Sequence, residues 1–511
     1  MEQQTTTAST PSSSGVNTLE KSIYLINLGD DNYEASLEIA EQLKSEANKL
    51  LQEKKYMDAL KKYTEAIDLK IDTTKNAIYY TNRAHVNNTL ENFGSAIEDT
   101  TNALKCDPTY IKAYWRRYTA YLNLSKYDEA LNDLNALNSK HPNDAKVLDE
   151  IKKTKVLKRK KNFWEIFSSE GRGKQTMSLK AYYDKTEIPE GYTGIKLPSK
   201  DKMNIEWIKE LIKQMKDKKY LHKKDLLSVL LTVKEYLEKK ESLINIDYPT
   251  TEITVCGDVH GQFYDLVNIF ELNGYPSENR PYLFNGDFVD RGAFSLECAT
   301  LLFCLKLLYP EHFFISRGNH ESSKMNKVYG FEREVIEKYN DNQLYDCFFE
   351  VFNCLPLGHV INGAILVVHG GLFSKDGVTL DEIRKTNRFQ EIPYDGIMSD
   401  ILWSDPTHTN GRAPSKRGVG MSFGPDVAKK FLDENKLKYL IRSHEVKQEG
   451  YEELTGGQVF TVFSAPNYCG QMGNKGAYAL INGDKKPVFK SFDAVPQPSV
   501  PFGKYMSSSF F

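Results

Sequence analysis

Three clusters of glycine and polar residues between positions 255 and 321 constrain this chain more than any other feature. They read GDVHG at residues 257–261, GDFVDRG at 286–292 and RGNHE at 317–321. Each cluster follows a short apolar run that predicts a buried strand, namely residues 253–256, 282–284 and 313–315. Side chains that could bind a ligand therefore lie just beyond the carboxyl ends of strands, where open α/β sheets place their sites.

Three further clusters repeat this arrangement. Apolar runs at residues 364–368, 439–441 and 459–463 lead into HGG at 369–371, RSHE at 442–445 and SAPNYC at 464–469. Carboxylate, imidazole and amide oxygen together suit manganese, iron or zinc better than an all-oxygen magnesium cage. In a two-metal site a shared carboxylate holds the ions about 3.5–4 Å apart, and a water between them becomes hydroxide near neutral pH. That hydroxide is an in-line nucleophile for a phosphate ester.

The six clusters, in this order, resemble the metal-dependent phosphoprotein phosphatase family over roughly residues 205–494. The resemblance implies an α/β metallophosphoesterase domain, with a central β-sandwich flanked by helices, that dephosphorylates serine and threonine. It implies two divalent metal ions, either manganese or iron and zinc. One ion would be held by Asp258, His260 and Asp287. The other would share Asp287 and take Asn319, His369 and His444.

The same resemblance implies roles in binding and catalysis. His320 matches the general acid that protonates the departing oxygen, and Asp290 matches its orienting carboxylate. The chemistry agrees, because an alkoxide is a poor leaving group and a carboxylate-paired imidazolium can supply its proton. Arg291 and Arg417 match a guanidinium clamp on the phosphate, and Tyr468 a further hydrogen bonder beside Asn319 and His320.

Each cluster also has a purely structural interpretation. A single GDxHG could be a turn in which glycine supplies positive φ and aspartate caps a helix. Arg417 and Tyr468 could each be a packed or solvated side chain. Six clusters in the family's order favour the catalytic interpretation over six unrelated turns.

Composition and charge exclude several classes of protein. The 67 basic and 69 acidic residues nearly balance, so no global field favours nucleic acid or an anionic membrane. Seven cysteines without metal-ligand spacing are typical of a reducing compartment. The longest apolar stretch, residues 299–309, is too short for a transmembrane segment, and the polar amino terminus shows no signal peptide. We expect a cytoplasmic and nuclear protein, monomeric and without a nucleic-acid partner.

Periodicity and composition divide the 511 residues into five segments. The predicted segments are a disordered Ser/Thr-rich tail at 1–35, three helical repeats at 36–145, a helical linker and irregular segment at 146–200, the catalytic domain at 201–495 and a carboxyl-terminal tail at 496–511. A basic run at residues 152–161 could be a nuclear-import signal or a patch for an acidic partner, but a solvated linker helix is favoured.

The amino-terminal repeats share an aromatic-x-x-Ala element. It occurs at Tyr56 and Ala59, Phe93 and Ala96, and Tyr127 and Ala130, with spacings of 37 and 34 residues. Seven residues beyond each alanine stand Ala66, Ala103 and Leu137. This period resembles the tetratricopeptide repeat, an all-α helix–turn–helix unit whose copies stack around a groove. Ordinary helical hairpins without a shared groove are the alternative.

Five polar residues of the repeats match the carboxylate clamp of clamp-type tetratricopeptide domains. They are Lys44, Asn48, Asn82, Lys112 and Arg116. The resemblance implies that they grip the carboxyl-terminal peptide of the heat-shock protein 90 chaperone. Each lysine alone could instead be a solvated charge.

The second repeat is three residues longer than the third, and we expect the extra length near residues 89–92, in the turn between its helices. Glu91 lies there, and its carboxylate could occupy the phosphate's place beside Arg291. The type 5 branch of the phosphatase family carries such repeats and is auto-inhibited by them, which makes Glu91 the candidate inhibitory residue. A solvated loop charge is the alternative. By the same resemblance, chaperone binding or a lipid would shift the population towards an open, active state.

Three local expectations remain. Residues 204–241 predict two amphipathic helices ahead of the catalytic sheet, and residues 411–423 predict a loop that brings Arg417 towards the site. The tail at 496–511 is poor in helix formers, so it does not predict the apolar terminal helix of the type 5 branch, although Phe510 and Phe511 could still dock.

Two other functions compete with an auto-inhibited, chaperone-recruited phosphatase. The chain could be a repeat scaffold whose enzyme half is inactive, but no ligand position is lost. It could also hydrolyse a phosphodiester or another non-protein phosphate ester. Paired arginines at 291 and 417 favour a dianionic monoester, and the fold alone would not decide.

Overall fold

The computed structural model describes residues 32–71, 74–169, 177–199, 201–454, 456–500 and 504–506. Most of the predicted Ser/Thr-rich tail, residues 170–176 of the predicted linker and irregular segment, and Phe510 and Phe511 lie outside these ranges. The chain divides into two compact units, Met1–Lys160 and Lys161–Phe511. Among the helices in the described ranges, none has the length and apolarity needed to cross a lipid bilayer.

The described part of the first unit is built from three helical hairpins and the start of a longer helix. The helices are α1 (Asn32–Gln52), α2 (Tyr56–Asp68), α3 (Lys75–Thr89), α4 (Phe93–Cys106), α5 (Ile111–Asn123), α6 (Tyr127–Lys140) and α7 (Ala145–Ser169). The marker residues of the repeat are buried between these helices: Ala59, Ala66, Ala96, Ala103, Ala130 and Leu137. Their burial confirms the all-α repeat prediction.

A buried ion pair recurs in the second and third hairpins. Arg83 Nη2 lies 2.7 Å from Asp99 Oδ1, and Arg117 Nη2 lies 2.7 Å from Asp133 Oδ1. Both aspartates are 3% exposed while both arginines are partly exposed, and each pair joins the two helices of its hairpin. The repetition shows that consecutive units fold in the same way.

The turns within the three hairpins are equally long, so the expectation of a longer turn in the second repeat is wrong. They comprise residues 53–55, 90–92 and 124–126. The middle residue of each, Lys54, Glu91 and Ser125, has a left-handed φ of 61°, 62° and 53°. The extra residues lie elsewhere: 69–74 separate α2 from α3, whereas only 107–110 separate α4 from α5, and α3 itself is longer than α5.

The second unit begins with helices and continues as alternating strands and helices. Its helices are α8 (Leu179–Lys185), α9 (Ile205–Lys216), α10 (Lys223–Leu237), α11 (Phe263–Asn273), α12 (Ser295–Leu308), α13 (Ser323–Tyr329), α14 (Phe331–Tyr339), α15 (Asn342–Phe352), α16 (Leu380–Lys385), α17 (Ile397–Trp403) and α18 (Pro425–Glu434). The pair α9 and α10 confirms the two helices predicted ahead of the sheet.

The strands form two central sheets and one small sheet. They are β1 (Leu243–Ile246), β2 (Ile253–Cys256), β3 (Tyr282–Phe284), β4 (Phe313–Ile315), β5 (Gly358–Ile361), β6 (Ile365–Val368), β7 (Asp405–Pro406), β8 (Arg412–Pro414), β9 (Met421–Phe423), β10 (Tyr439–Arg442), β11 (Tyr451–Glu453), β12 (Val459–Val462), β13 (Gly476–Ile481) and β14 (Val488–Phe492). One central sheet has the order β1-β5-β6-β10-β12-β11, the other β14-β13-β2-β3-β4, and the small sheet β7-β9-β8.

The alternation of side chains along the strands creates four layers. Val255 and Leu283 of one central sheet pack with Val367 and Ile441 of the other in a shared apolar core. Their strand neighbours point to the opposite faces, where they join helices: Cys256 and Phe284 on one side, Leu366 and Leu440 on the other. The predicted β-sandwich flanked by helices is therefore confirmed.

Two local expectations are refined by the structure. Residues 411–423 do not form a simple loop, because β8 and β9 flank Arg417 and pair with each other in antiparallel register. In the tail, residues 504–506 form a turn rather than a helix, as its composition predicts.

Candidate functional site

The candidate ligands lie at the carboxyl ends of two sets of adjacent parallel strands. Strands β2, β3 and β4 are parallel neighbours in one central sheet, and β6, β10 and β12 are parallel neighbours in the other. The loops after these strands carry Asp258 and His260, Asp287 and Asp290, Asn319 and His320, His369, His444, and Tyr468. The face-to-face packing of the sheets brings both sets of loops to one edge of the sandwich.

Three candidate ligands of one metal converge on Nε2 of the fourth, His369. Asn319 Oδ1 lies 2.9 Å from this atom, Asp287 Oδ2 3.1 Å and His444 Nδ1 3.2 Å. His369 Nδ1 lies 2.9 Å from the carbonyl oxygen of Asn285, which places the proton of the neutral ring on Nδ1. Nε2 therefore presents a lone pair to two oxygen atoms that are also acceptors, an arrangement that a shared cation would stabilise.

The histidine of the first candidate metal group is oriented in the same way, by a backbone carbonyl oxygen next to its Nδ1. His260 Nδ1 lies 2.9 Å from the carbonyl oxygen of Val289, leaving Nε2 to face two carboxylates. His260 Nε2 is 3.7 Å from Asp258 Oδ2 and 3.6 Å from Asp287 Oδ2. His320 also comes within 4.8 Å of His260 and Asp287. The structure thus places Asp287 between the two groups, as the bridging role requires.

Burial makes these carboxylates expensive to ionise without a cation. Asp258 and Asp287 are each 1% exposed, and burial raises their pKa values to about 7 and about 8. Burial also lowers the pKa of His260 to about 3, so this ring is neutral and able to act as a ligand. A dry set of carboxylate, imidazole and amide donors fits divalent manganese, iron or zinc.

The predicted acid and its orienting carboxylate are in direct contact. His320 Nδ1 lies 2.8 Å from Asp290 Oδ2. Asp290 is fully buried and also accepts hydrogen bonds from Asn326 Nδ2 at 3.0 Å and from the Phe331 amide at 2.9 Å. Asn326 Nδ2 in addition donates to the carbonyl oxygen of His320 at 2.7 Å. These bonds fix both the carboxylate and the loop that carries the histidine.

The two predicted phosphate-binding arginines are held in different ways. The Arg291 guanidinium carbon lies 3.9 Å from the centre of the Tyr329 ring. Arg417 Nε donates to Asp405 Oδ2 at 2.6 Å, and its Nη2 donates to the carbonyl oxygen of His444 at 2.7 Å. Tyr468 is half-buried, with its ring centre 5.2 Å from that of His260. Arg417 and Tyr468 therefore adjoin the candidate ligands His444 and His260, whereas Arg291 is held by Tyr329.

Strained backbone is concentrated in these loops. Positive φ angles occur at His260, Asp287, Asp290, Arg291 and His444, with values between 43° and 72°. A left-handed conformation costs a residue with a Cβ about 1–2 kcal/mol. Such strain persists where the surrounding structure determines the position of a functional side chain.

Sequence reasoning did not assign a role to several residues that position the site. Glu321 accepts from the amides of Asp287 and Phe288 at 2.8 and 3.0 Å, and Arg442 Nη2 donates to Asp405 Oδ1 at 2.7 Å. Glu321 and Arg442 stand inside the recognised clusters, so adjacency was an available signal, whereas Asp405 lies outside all six. Asn326 and Tyr329 lie on α13 without any motif, and only the fold reveals their contacts.

The five candidate clamp residues are only partly brought together. Asn82 Nδ2 lies 3.5 Å from Asn48 Oδ1, which also accepts from the Tyr63 hydroxyl at 2.6 Å. Lys44 is paired with Glu41, and Arg116 contacts the ring of His85. Lys112 is exposed, four residues before Arg116 on α5. The two asparagines in contact belong to the first and second repeats, whereas Lys112 and Arg116 belong to the third.

Glu91, the candidate inhibitory residue, lies in the second hairpin turn at the left-handed position that Lys54 and Ser125 occupy in the others. Its amide donates to the carbonyl oxygen of Asn88 at 3.2 Å, and the amide of Asn92 donates to that of Asn87 at 2.8 Å. Glu91 is thus an ordinary turn residue by backbone and does not stand on an extended loop.

Comparison with known proteins gives consistent matches. The family models Calcineurin-like phosphoesterase and PPP5 TPR repeat region match residues 251–448 and 151–245. Serine/threonine-protein phosphatase 5 of Rattus norvegicus is 50% identical over 470 residues, covering 91% of this chain and 93% of the relative. Serine/threonine-protein phosphatase T of Trypanosoma brucei brucei is 44% identical, covering 91% of this chain and 97% of the relative.

A solved structure agrees with these relatives. It is a protein serine/threonine phosphatase from Saccharomyces cerevisiae described as similar to human phosphatase PP5, 40% identical, with a TM-score of 0.57. The match covers 59% of this chain and 100% of that chain. The chain therefore belongs to the serine/threonine-protein phosphatase 5 family and is a serine/threonine-protein phosphatase.

Proposed function

We propose that this phosphatase hydrolyses phosphoserine and phosphothreonine in proteins at a site for two divalent metal ions. The convergence of Asp287, Asn319 and His444 on the unprotonated Nε2 of His369 is the observation that supports it most directly. Asp258 and His260 would complete the ligand set of the other ion, with Asp287 shared. Manganese, or iron and zinc, suit these donors.

The side chains of this chain would act on the phosphate and the leaving group. When bound, the two ions supply a nucleophilic water at neutral pH and neutralise charge on the phosphate. Arg291 and Arg417 would bind the phosphate oxygens and stabilise the charge that develops in the transition state. Protonated His320, oriented by Asp290, would donate its proton to the departing seryl or threonyl oxygen. Tyr468 would donate a further hydrogen bond on the phosphate side.

The first test is dephosphorylation of a phosphoserine peptide by full-length protein supplemented with manganese, compared with a fragment that begins at Ser178. His320→Gln should lower kcat strongly in either form, whereas Lys429→Ala, which removes an exposed cation paired with Asp433 on α18, should not. A phosphodiester substrate should react much more slowly than the peptide. A peptide rate no faster than the diester rate would favour a non-protein substrate, and two inactive forms would favour the scaffold interpretation.

We further propose that the repeat unit inhibits the catalytic unit and that Glu91 provides the inhibitory carboxylate. Glu91 stands at the tip of a hairpin turn, and a carboxylate resembles the phosphate that Arg291 would bind. Activation is then a shift of population towards an open state. A much faster fragment than full-length protein would support this, and equal rates would leave recruitment as the repeats' role.

The repeats would also recruit the enzyme to the heat-shock protein 90 chaperone. The contact between Asn48 and Asn82, together with the cationic residues Lys44, Lys112 and Arg116 of the first and third repeats, supports capture of a terminal carboxylate. A chaperone tail that binds only the open state, or an activating lipid, would favour activity. We propose a monomeric protein of the cytoplasm and nucleus, in keeping with its free cysteines.

A further inference from the structure

The turn at Gly330, between α13 and α14, contacts two parts of the proposed catalytic machinery. On one side of the glycine, Tyr329 stacks on the Arg291 guanidinium at 3.9 Å and accepts a hydrogen bond from the Arg291 amide at 3.0 Å. On the other side, the Phe331 amide donates to Asp290 Oδ1 at 2.9 Å. A shift of this turn would therefore displace Arg291 and Asp290 together.

Tyr505, near the carboxyl terminus, packs directly on this turn, and we call the buried pair Tyr505 and Met506 the C-terminal clip. A Cβ placed on Gly330 would lie 3.0 Å from Tyr505 Cβ and 3.1 Å from the Tyr505 carbonyl carbon. Tyr505 is 8% exposed and Met506 3% exposed, so the clip is seated in the domain surface. Lys504, in contrast, is exposed and lies 3.8 Å from Glu337 on α14.

The backbone of the turn explains why it needs this support. Gly330 has φ +118°, a conformation that side-chain-bearing residues rarely adopt, and it contributes no side chain of its own. The close approach of Tyr505 replaces the packing that a Cβ would have made. The contact is made by the backbone and Cβ of Tyr505. Its geometry therefore depends on the position of the clip's backbone, and the flexible tip of the side chain does not affect it.

We propose that the C-terminal clip is a positioning element of the active site, which holds the Tyr329–Phe331 turn so that Arg291 meets the phosphate and Asp290 orients His320. This inference rests on the roles proposed above for Arg291 and Asp290. The clip would then support catalysis, so its loss would impair the enzyme. Loss of a tail that only restrains the enzyme would have the opposite effect. Tyr505 is a positioning residue and does not touch the substrate.

The test compares Tyr505→Ala, Tyr505→Phe and Lys504→Ala in the full-length, manganese-supplemented protein. The readouts are the KM for a phosphoserine peptide, the inhibition constant of inorganic phosphate, kcat and the melting temperature. Tyr505→Ala should raise both KM and the phosphate inhibition constant at least about tenfold, since small misplacements of a binding group are costly. Tyr505→Phe keeps the ring and loses only the hydroxyl contact with Lys504 Nζ at 2.7 Å, so it should match the unmodified protein, as should Lys504→Ala.

Three results would overturn the inference. If Tyr505→Ala lowers the melting temperature but leaves KM and the phosphate inhibition constant unchanged, the clip contributes only to stability. If Tyr505→Ala raises kcat and leaves KM and the phosphate inhibition constant unchanged, the clip restrains the enzyme. The third result concerns Arg291→Ala, which is measured in parallel. If Arg291→Ala leaves the phosphate inhibition constant unchanged, the role proposed for Arg291 is wrong, and the inference about the clip fails with it. If Arg291→Ala raises the constant and Tyr505→Ala does not, the inference alone fails.

Discussion

His369 Nε2 lies 3.1 Å from Asp287 Oδ2, and these two residues follow strands of different central sheets. Asp287 follows β3 and His369 follows β6, so the pair spans the layer of apolar side chains between the sheets. A cation bound by both residues would join the two halves of the sandwich. Metal binding and the stability of the catalytic unit are therefore expected to be coupled.

Removal of metal should lower the melting temperature of the catalytic unit. A ligand at a hundredfold excess over its dissociation constant stabilises the native state by about 2.7 kcal/mol. Differential scanning calorimetry with and without a chelator measures this effect, and elemental analysis measures the metal content. Asp287→Asn should bind less metal and respond less to the chelator, whereas Asp484→Asn, an exposed partner of Lys438, should behave as the unmodified protein. A chelator response that persists in Asp287→Asn would contradict the bridging role.

Asp405→Asn should destabilise the catalytic unit and weaken phosphate binding. Burial raises the pKa of Asp405, but the charges of Arg417, Lys416 and Arg442 outweigh it and hold that pKa below its usual range. Removing the carboxylate leaves buried Arg442 without its 2.7 Å partner, and breaking such a pair costs about 3–5 kcal/mol.

Urea unfolding and the inhibition constant of phosphate test this prediction. Asp433→Asn is the matched control, because its ion pair with Lys429 is exposed and should contribute less than about 1 kcal/mol. Equal unfolding midpoints for Asp405→Asn and Asp433→Asn would show that the buried network does not stabilise the unit.

Acidification should destabilise the catalytic unit through His359. This histidine is 1% exposed on β5, with Nδ1 3.0 Å from Ser316 Oγ, and burial lowers its pKa to about 3. The unfolded chain binds a proton at its ordinary pKa near 6.5, whereas the folded chain does not, so stability is complete above pH 6.5 and is lost as pH falls towards 3. At pH 5 the loss is about 2 kcal/mol.

Denaturant unfolding at pH 8 and pH 5 isolates this contribution when the unmodified protein is compared with His359→Gln. The variant is expected to be less stable at pH 8 but to lose about 2 kcal/mol less on acidification. His408→Gln, which replaces an exposed histidine, is the matched control. Identical pH dependence in the unmodified protein and His359→Gln would disprove the assignment.

Glycine at position 91 should separate turn stability from inhibition. Glu91 and Ser125 occupy equivalent left-handed positions, with φ of 62° and 53°. Glycine tolerates this conformation, so Glu91→Gly and Ser125→Gly should each stabilise the repeat unit by up to about 1 kcal/mol. Only Glu91→Gly should raise the phosphatase rate of the full-length protein, because only it removes the carboxylate.

Phosphatase rates and melting curves of Glu91→Gly and Ser125→Gly distinguish loss of the carboxylate from a change in the stability of the turn. Faster dephosphorylation by both would link activity to the turn's stability rather than to the carboxylate. An unchanged rate in both would remove Glu91 from the inhibitory mechanism.

Arg116→Ala should weaken binding of the chaperone's carboxyl-terminal peptide at least about tenfold, since a charge-assisted hydrogen bond contributes about 1.5–3 kcal/mol. Isothermal titration calorimetry measures the affinity. Lys126→Ala, an exposed lysine in the third hairpin turn, serves as the control and should bind normally. Equal affinity for the peptide and its carboxyl-amidated form would rule out a carboxylate clamp.

Local sequence determined the candidate ligands and the repeats. A strand of three or four mostly apolar residues followed within a few positions by Gly-Asp or Asn-His is a local signal, and strands β2, β3 and β4 match the predicted bounds. The 34-residue period likewise located the buried alanines of the hairpins. Spacing between markers failed at the second repeat, because a total length does not reveal where inside the unit the extra residues lie.

The tertiary structure alone decided which strands meet and which distant side chains complete the site. Asn326 reaches Asp290, Asp405 joins Arg417 to Arg442, and Tyr505 seats on Gly330. None of these contacts follows a helical or strand period, because each joins residues whose separation along the chain is set by intervening elements. Motifs therefore name the groups that do the chemistry, while the packing of the two sheets and their helices determines what holds those groups in place.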